Sequence, residues 1–160
     1  MSGALPEYKT DAWALQLSHS SIASLLHSVL FKQPLLIHGV DYDTPDGTHI
    51  DDYVHVWDVA QATYLALKHL KKDHPSDLFN VGSGMGYSVK QLISIIKDLT
   101  QTLSCKIING DKKCEVPAKI IADPSKAQNI LQWKPLGLNI EEIIQSEIRA
   151  LNSNSASRKY

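Results

Sequence analysis

Residues 77–99, DLFNVGSGMGYSVKQLISIIKDL, restrict the fold more than any other stretch of this chain. The segment opens with the apolar run DLFNVG, which reads as a strand. It turns through GSGMGYS and then enters a helix, with Ser88 as the capping residue. Val89, Leu92, Ile93, Ile96 and Leu99 recur at helical spacing and form one apolar face that has to be buried. A strand feeding a one-sided helix across a short turn is the unit of α/β proteins. The same alternation recurs along the chain. Ile22, Leu25, Leu26, Val29 and Leu30 form a helical stripe entered from Ser20 or Ser21 and stopped before Pro34, and LLIHG is a short buried strand. YVHV is a strand or extended entry to a helix carrying Val59, Ala62, Ala66, Leu67 and Leu70, with Asp58 in its first turn. CKII is a strand, IIADPSKAQNIL an extended piece leading to a short helix, and IEEIIQSEIRALN a last amphipathic helix. The class is α/β, with few strands for a complete doubly wound sheet.

A chain of 160 residues forms one sizeable core. Its net charge of −1, with no stripe of Lys or Arg, gives a nucleic-acid surface no support. No apolar run is long enough to span a bilayer, so neither a membrane nor a nucleic acid is an expected partner. Two cysteines, Cys105 and Cys114, do not make a disulfide framework, and a reduced pair in the cytoplasm is expected. Residues 1–18 read as an irregular lead-in and 152–160 as a disordered tail, with 19–151 as the folded part.

Residues 41–60 hold six aspartates around Pro45 and Gly47. DYDTPDG approaches a calcium-loop spacing, but its third aspartate comes one residue late and no closing glutamate follows, so turn residues with solvated carboxylates are expected. His49 and His55 lack a third ligand at metal spacing, and no metal site is expected. GSGMG departs from a dinucleotide fingerprint because Tyr87 stands in place of the last glycine, which favours a structural turn. Tyr64 and Lys68 have Tyr-x-x-x-Lys spacing inside an apolar helix, away from a catalytic context, and no Gly-x-Ser-x-Gly elbow exists. No catalytic residue is assigned.

Three segments taken in order, DYDTPDGT…DYVHVWDVAQA, FNVGSGMGYSV and PAKIIADPSKAQNILQWKP, resemble the C-terminal half of the UDP-glucose 4-epimerases. These are NAD-dependent members of the extended short-chain dehydrogenase/reductase superfamily. The resemblance covers roughly residues 19–150. It implies a partial Rossmann-type fold, the substrate-binding half of such an enzyme, serving the interconversion of UDP-glucose and UDP-galactose in galactose metabolism. It also implies that the glycine-rich NAD loop and the catalytic Tyr/Lys pair belong to the family's other half. NAD is therefore the family's cofactor, yet this chain alone is expected to bind none and to be inactive. A related sugar-nucleotide dehydratase or decarboxylase fits DYDTPDGT less well.

By the resemblance, Leu36 and His38 match positions packing on the uracil, Lys113 one that holds the diphosphate, and Ile120 one lining the sugar pocket. Two family positions are eroded. Asp51 stands where an arginine binds a phosphate, and Val116 where an aspartate binds the ribose. The carboxylate of Asp51 removes a bidentate donor and repels a diphosphate. UDP-sugar binding is thus expected to be weak or lost. The alternative is a non-catalytic nucleotide-sugar or partner-binding module, or one half of a split enzyme with a separate Rossmann half as partner. In either case the strand DLFNVG is expected to leave an open edge and an uncovered apolar face.

Overall fold

The computed structural model describes residues 22–102, 105–112 and 116–156, without the side chains of 153–156. The expected lead-in 1–18, Lys113, Cys114 and residues 157–160 lie outside the described residues. Helix α1 spans Ile22–Leu30 and leads into strand β1, Leu35–His38. Strand β2 is Ile50–Asp52, followed by helix α2, Val56–Leu70. Strand β3, Gly86–Ser88, runs directly into helix α3, Val89–Thr100. Strands β4, Ile107–Gly110, and β5, Lys119–Ile120, precede helix α4, Ser125–Leu131, and helix α5, Ile140–Ala156.

The strands form two small sheets. In one, β1 pairs with β4 in parallel, with Leu36 opposite Ile108. In the other the order is β3-β2-β5, with β2 antiparallel to β3 and parallel to β5. Stretches 35–51 and 107–120 therefore run side by side in the same direction, paired at both ends. Between the paired ends the loop 39–49 meets Lys112 and Pro117, among the described residues. The link is held by Gly39 N donating to Gly110 O, 3.0 Å, and Ile50 N to Ala118 O, 3.0 Å.

The main core gathers the apolar faces of α1, β1, α3 and α5. Leu26, Leu92, Ile96 and Ile144 are fully enclosed, each contributing about 1.5–3 kcal/mol by burial. α3 starts as its sequence dictates. Ser88 Oγ accepts from Gln91 N at 3.1 Å, and Gln91 Oε1 accepts from Ser88 N at 2.8 Å, a reciprocal capping box. A second, smaller core joins α2 to α4 through Ala62, Ala127, Leu131 and Trp133. Trp133 Nε1 donates to Asp58 O, 3.0 Å, and Leu136 N donates to Asp58 Oδ1, 2.8 Å. Asp58, in the first turn of α2, thus ties down the turn after α4.

Three local expectations change. Residues 77–82, expected as a strand, form none and belong to neither sheet, whereas Gly86–Ser88, expected as turn, is a strand. The strand expected at CKII lies two residues later, at Ile107–Gly110. The last helix continues to Ala156, into the segment expected as disordered tail.

Candidate functional site

The aspartate-rich loop turns its carboxylates inward rather than toward one ion. Asp46 Oδ1 accepts from Thr48 N at 2.8 Å and Thr48 Oγ1 at 2.6 Å, and its Oδ2 accepts from Ser88 Oγ. Thr48 Oγ1 accepts from Lys90 N, 3.4 Å, and Lys90 Nζ donates to Asp46 O, 2.7 Å. Asp46 is thereby set at the positive end of α3. Burial opposes its ionisation, but hydrogen bonds from Ser88 and Thr48, with the Lys90 charge, outweigh this and hold the carboxyl below its ordinary value. Asp41 and Asp43 stay exposed. Among the described residues no group of three or more His, Cys, Asp or Glu is placed to hold a metal ion.

Asp52 does for the glycine turn what Asp46 does for α3. Its Oδ1 accepts from Ser83 N at 2.9 Å and from Ser83 Oγ, and its Oδ2 from Gly84 N at 2.9 Å and Ala122 N at 3.3 Å. Gly82 is required here, since an added Cβ would lie 2.5 Å from both Ala122 Cβ and Asp52 Oδ2. The amides that a dinucleotide phosphate would use are donated to an internal carboxylate. The turn is structural.

The positions singled out from the sequence fall into two neighbouring groups on the parallel stretches. Leu36 and His38 share one face of β1, Leu36 exposed and His38 half-buried, and Gly110 of β4 lies against both. A Cβ on Gly110 would come within 3.0 Å of Leu36 Cδ1 and 3.6 Å of His38 Nδ1. At the other end Asp51 lies opposite Ile120 of β5 and Tyr87 of β3, with Ile120 half exposed. Val116 is half-buried just before Pro117. Lys113 is outside the described residues.

Two residues belong to this region that the sequence reading did not assign to it. The buried His49 places Nε2 2.9 Å from Asp51 Oδ1 and Nδ1 2.7 Å from Pro117 O. Both ring nitrogens face acceptors, and a doubly protonated ring donates to both. The Asp51 carboxylate, expected to face a diphosphate as bare charge, is thus partnered by an imidazole. The i, i+2 spacing of His49 and Asp51 on an extended segment was the signal for this contact. Lys112 lies across the loop, Nζ 4.4 Å from the Tyr42 ring centroid, and offers a cation beside the undescribed Lys113. His55 is elsewhere. Its Nδ1 caps α2 by accepting from Trp57 N at 3.2 Å, and its Nε2 lies 3.2 Å from Ser146 Oγ. Tyr64 and Lys68 make only a surface cation–π contact, 5.5 Å.

Comparison with known proteins places this architecture. The model of the NAD dependent epimerase/dehydratase family matches residues 15–82. The UDP-glucose 4-epimerase of Halalkalibacterium halodurans is 40% identical over 115 residues, covering 71% of this chain and 34% of the relative. A crystal structure of UDP-glucose 4-epimerase superposes with a TM-score of 0.76 at 31% identity, covering 87% of this chain and 42% of that one. The Bifidobacterium longum UDP-glucose 4-epimerase, solved in complex with NAD+ and UDP, gives a TM-score of 0.72 at 27% identity, covering 84% and 39%. This chain spans about a third of the length of the curated relatives it matches.

Proposed function

We propose that this chain, which belongs to the NAD dependent epimerase/dehydratase family and is a homologue of UDP-glucose 4-epimerases, forms the nucleotide-sugar side of such an epimerase. One observation carries the reading. The parallel pairs β1–β4 and β2–β5 bring Leu36 and His38 to one pair and Asp51 and Ile120, with Val116 just before β5, to the other. On this reading the β1 end receives the base. The loop with Lys112 and Lys113 receives the diphosphate, and Ile120 borders the sugar. Leu36 supplies apolar surface, and the lysines act as point charges on the phosphates.

The reading also explains what the chain does not do by itself. Among the described residues the one glycine-rich turn spends its amides on Asp52, so these residues do not fit a bound NAD. No step of hydride chemistry is assigned to them. The contribution of this chain is to bind and orient a UDP-sugar, and interconversion of UDP-glucose and UDP-galactose needs groups from another polypeptide segment. Ligand binding is weak because Val116 accepts no hydrogen bond from a ribose hydroxyl and Asp51 adds negative charge near the phosphates.

Calorimetric titration of UDP tests this. Wild type should bind weakly and Asp51→Arg more tightly. A charge-assisted bond contributes about 1.5–3 kcal/mol, and loss of the His49 contact offsets part of it. The expected gain is about tenfold in affinity. Val116→Asp should gain less, since a neutral hydroxyl donor contributes about 0.5–1.5 kcal/mol. No gain in UDP affinity for Asp51→Arg would refute the proposed site.

A further inference from the structure

His49 stands where three segments meet. It directly precedes β2, its carbonyl accepts from Val89 N at 3.2 Å at the start of α3, and its ring reaches the segment just before β5. The imidazole is almost wholly buried, and both of its nitrogens meet acceptors, Nδ1 at 2.7 Å from Pro117 O and Nε2 at 2.9 Å from Asp51 Oδ1. A carbonyl cannot donate, so Nδ1 carries a hydrogen in either charge state of the ring. A neutral ring then turns the lone pair of Nε2 toward the carboxylate, and the contact there holds only when one more proton lies between the two. The bond to Pro117 is therefore permanent, whereas the bond to Asp51 is conditional. Asp51 is the more exposed partner, with 29% of its side chain accessible, so its carboxylate turns to water when that proton leaves.

Other titratable groups surround the ring without bonding it. Tyr42 faces it from the loop 39–49, ring centroids 5.7 Å apart, and Lys112 lies over the Tyr42 ring. At the start of α3, Lys90 donates to Asp46 O, and the Asp46 carboxylate accepts from Thr48 and Ser88. Lys119 of β5 stands opposite Ile50, and Tyr87 of β3 opposite Asp51. Among the described residues, Asp51 is the ionisable group within hydrogen-bond distance of the ring.

We propose that His49 is a positioning residue of the nucleotide site, holding Asp51 through a shared proton and offsetting its charge, so that a diphosphate is bound more tightly below neutral pH than above it. With the proton in place the pair is neutral overall at the border of the candidate pocket. Without it a bare carboxylate meets the phosphates. The proton-held contact stands on the geometry alone, and only its effect on a diphosphate rests on the function proposed above.

Nitrogen NMR of the histidine rings in the ligand-free chain tests the contact. From about pH 8 down to about pH 5.5, His49 should keep its Nδ1 hydrogen throughout and gain one at Nε2. In Asp51→Asn that gain should need a lower pH. Calorimetry with UDP-glucose, whose diphosphate is esterified at both ends and so keeps its charge over this range, tests the consequence. Wild type should bind at least about fivefold more tightly at the acid end. His49→Gln should bind equally at both ends, and Asp51→Asn should bind as tightly at the alkaline end as wild type does at the acid end. His74→Gln, on the exposed segment after α2, should keep the wild-type dependence. An Nε2 that never gains a hydrogen, a hydrogen lost first from Nδ1, or a wild-type dependence retained in both His49→Gln and Asp51→Asn would overturn the proposal. Binding without the ring titration refutes the role of His49 and leaves the nucleotide site standing. The ring titration without binding at any pH upholds the proton-held contact and refutes the nucleotide site.

Discussion

Replacing Asp52 with asparagine should be one of the costliest single-atom changes in the protein. The carboxylate accepts four hydrogen bonds, from Ser83 N, Ser83 Oγ, Gly84 N and Ala122 N. An asparagine keeps one acceptor oxygen and turns an NH2 group toward the remaining donors. If its oxygen stays on Ser83, the new donor faces Gly84 N and Ala122 N; if the amide flips, Ser83 loses its acceptor instead. Each hydrogen bond to a charged acceptor is worth about 1.5–3 kcal/mol. The bond to Ala122, at 3.3 Å, is the weakest, and Asp52 is only half-buried, so water recovers part of the loss. The net cost comes to about 2–4 kcal/mol. In a chain of this size that lowers Tm by roughly 5–15 °C. Urea and thermal unfolding followed by circular dichroism measure it, with Asp43→Asn in the exposed part of the loop expected within about 0.5 kcal/mol of wild type. An Asp52→Asn variant as stable as wild type would mean that the turn amides are not held by the carboxylate. The glycine turn would then be open again as an anion cradle.

Other consequences are as direct. Asp46 has a folded-state pKa below its ordinary 3.8, so its contribution to stability is present above about pH 4 and lost as the pH falls through the lower folded value. Asp46→Asn should flatten the acid limb of stability against pH without abolishing it, because Asp77 and Asp123 also titrate low. A wild-type slope retained in the variant would refute the role of Asp46. Trp133→Phe removes the donor to Asp58 O and leaves a gap in the smaller core, so a loss of about 2–3 kcal/mol in urea unfolding is expected. An unchanged midpoint would mean that this core contributes little.

What was legible in the sequence was local. The start of α3 is written in Ser88 and Gln91 three residues apart, and its buried face in the spacing of Leu92, Ile93 and Ile96, so periodicity alone locates the helix. β3 and β5 were not legible, because strands of three and two residues exist only by pairing with β2. The same physics hid the purpose of the aspartates. Asp46 and Asp52 bind the two ends of one segment, Ser83–Gly84 and Ser88, from 31 to 42 residues away in sequence, and nothing local announces those partners. Only the Asp46–Thr48 turn was available as a short-range cue.

The separation of roles within β2 follows from the pleat. Successive side chains of a strand point to opposite faces, so Asp52 reaches the glycine turn while Asp51, one residue earlier, sits beside His49 on the other side. Its register partners there are Tyr87 and Ile120, and Ile120 is the position expected to border a sugar. Adjacent carboxylates therefore belong to different tasks, one holding the scaffold and one bordering the candidate pocket. The His49 contact of Asp51 and the hydrogen bonds of Asp52 to Ser83, Gly84 and Ala122 involve different groups, so Asp51→Arg should alter UDP affinity with little effect on the turn, whereas Asp52→Asn should lower stability first. If the double variant departs from the sum of the single changes in stability by more than about 0.5 kcal/mol, the two faces are coupled and the pleat does not isolate the site.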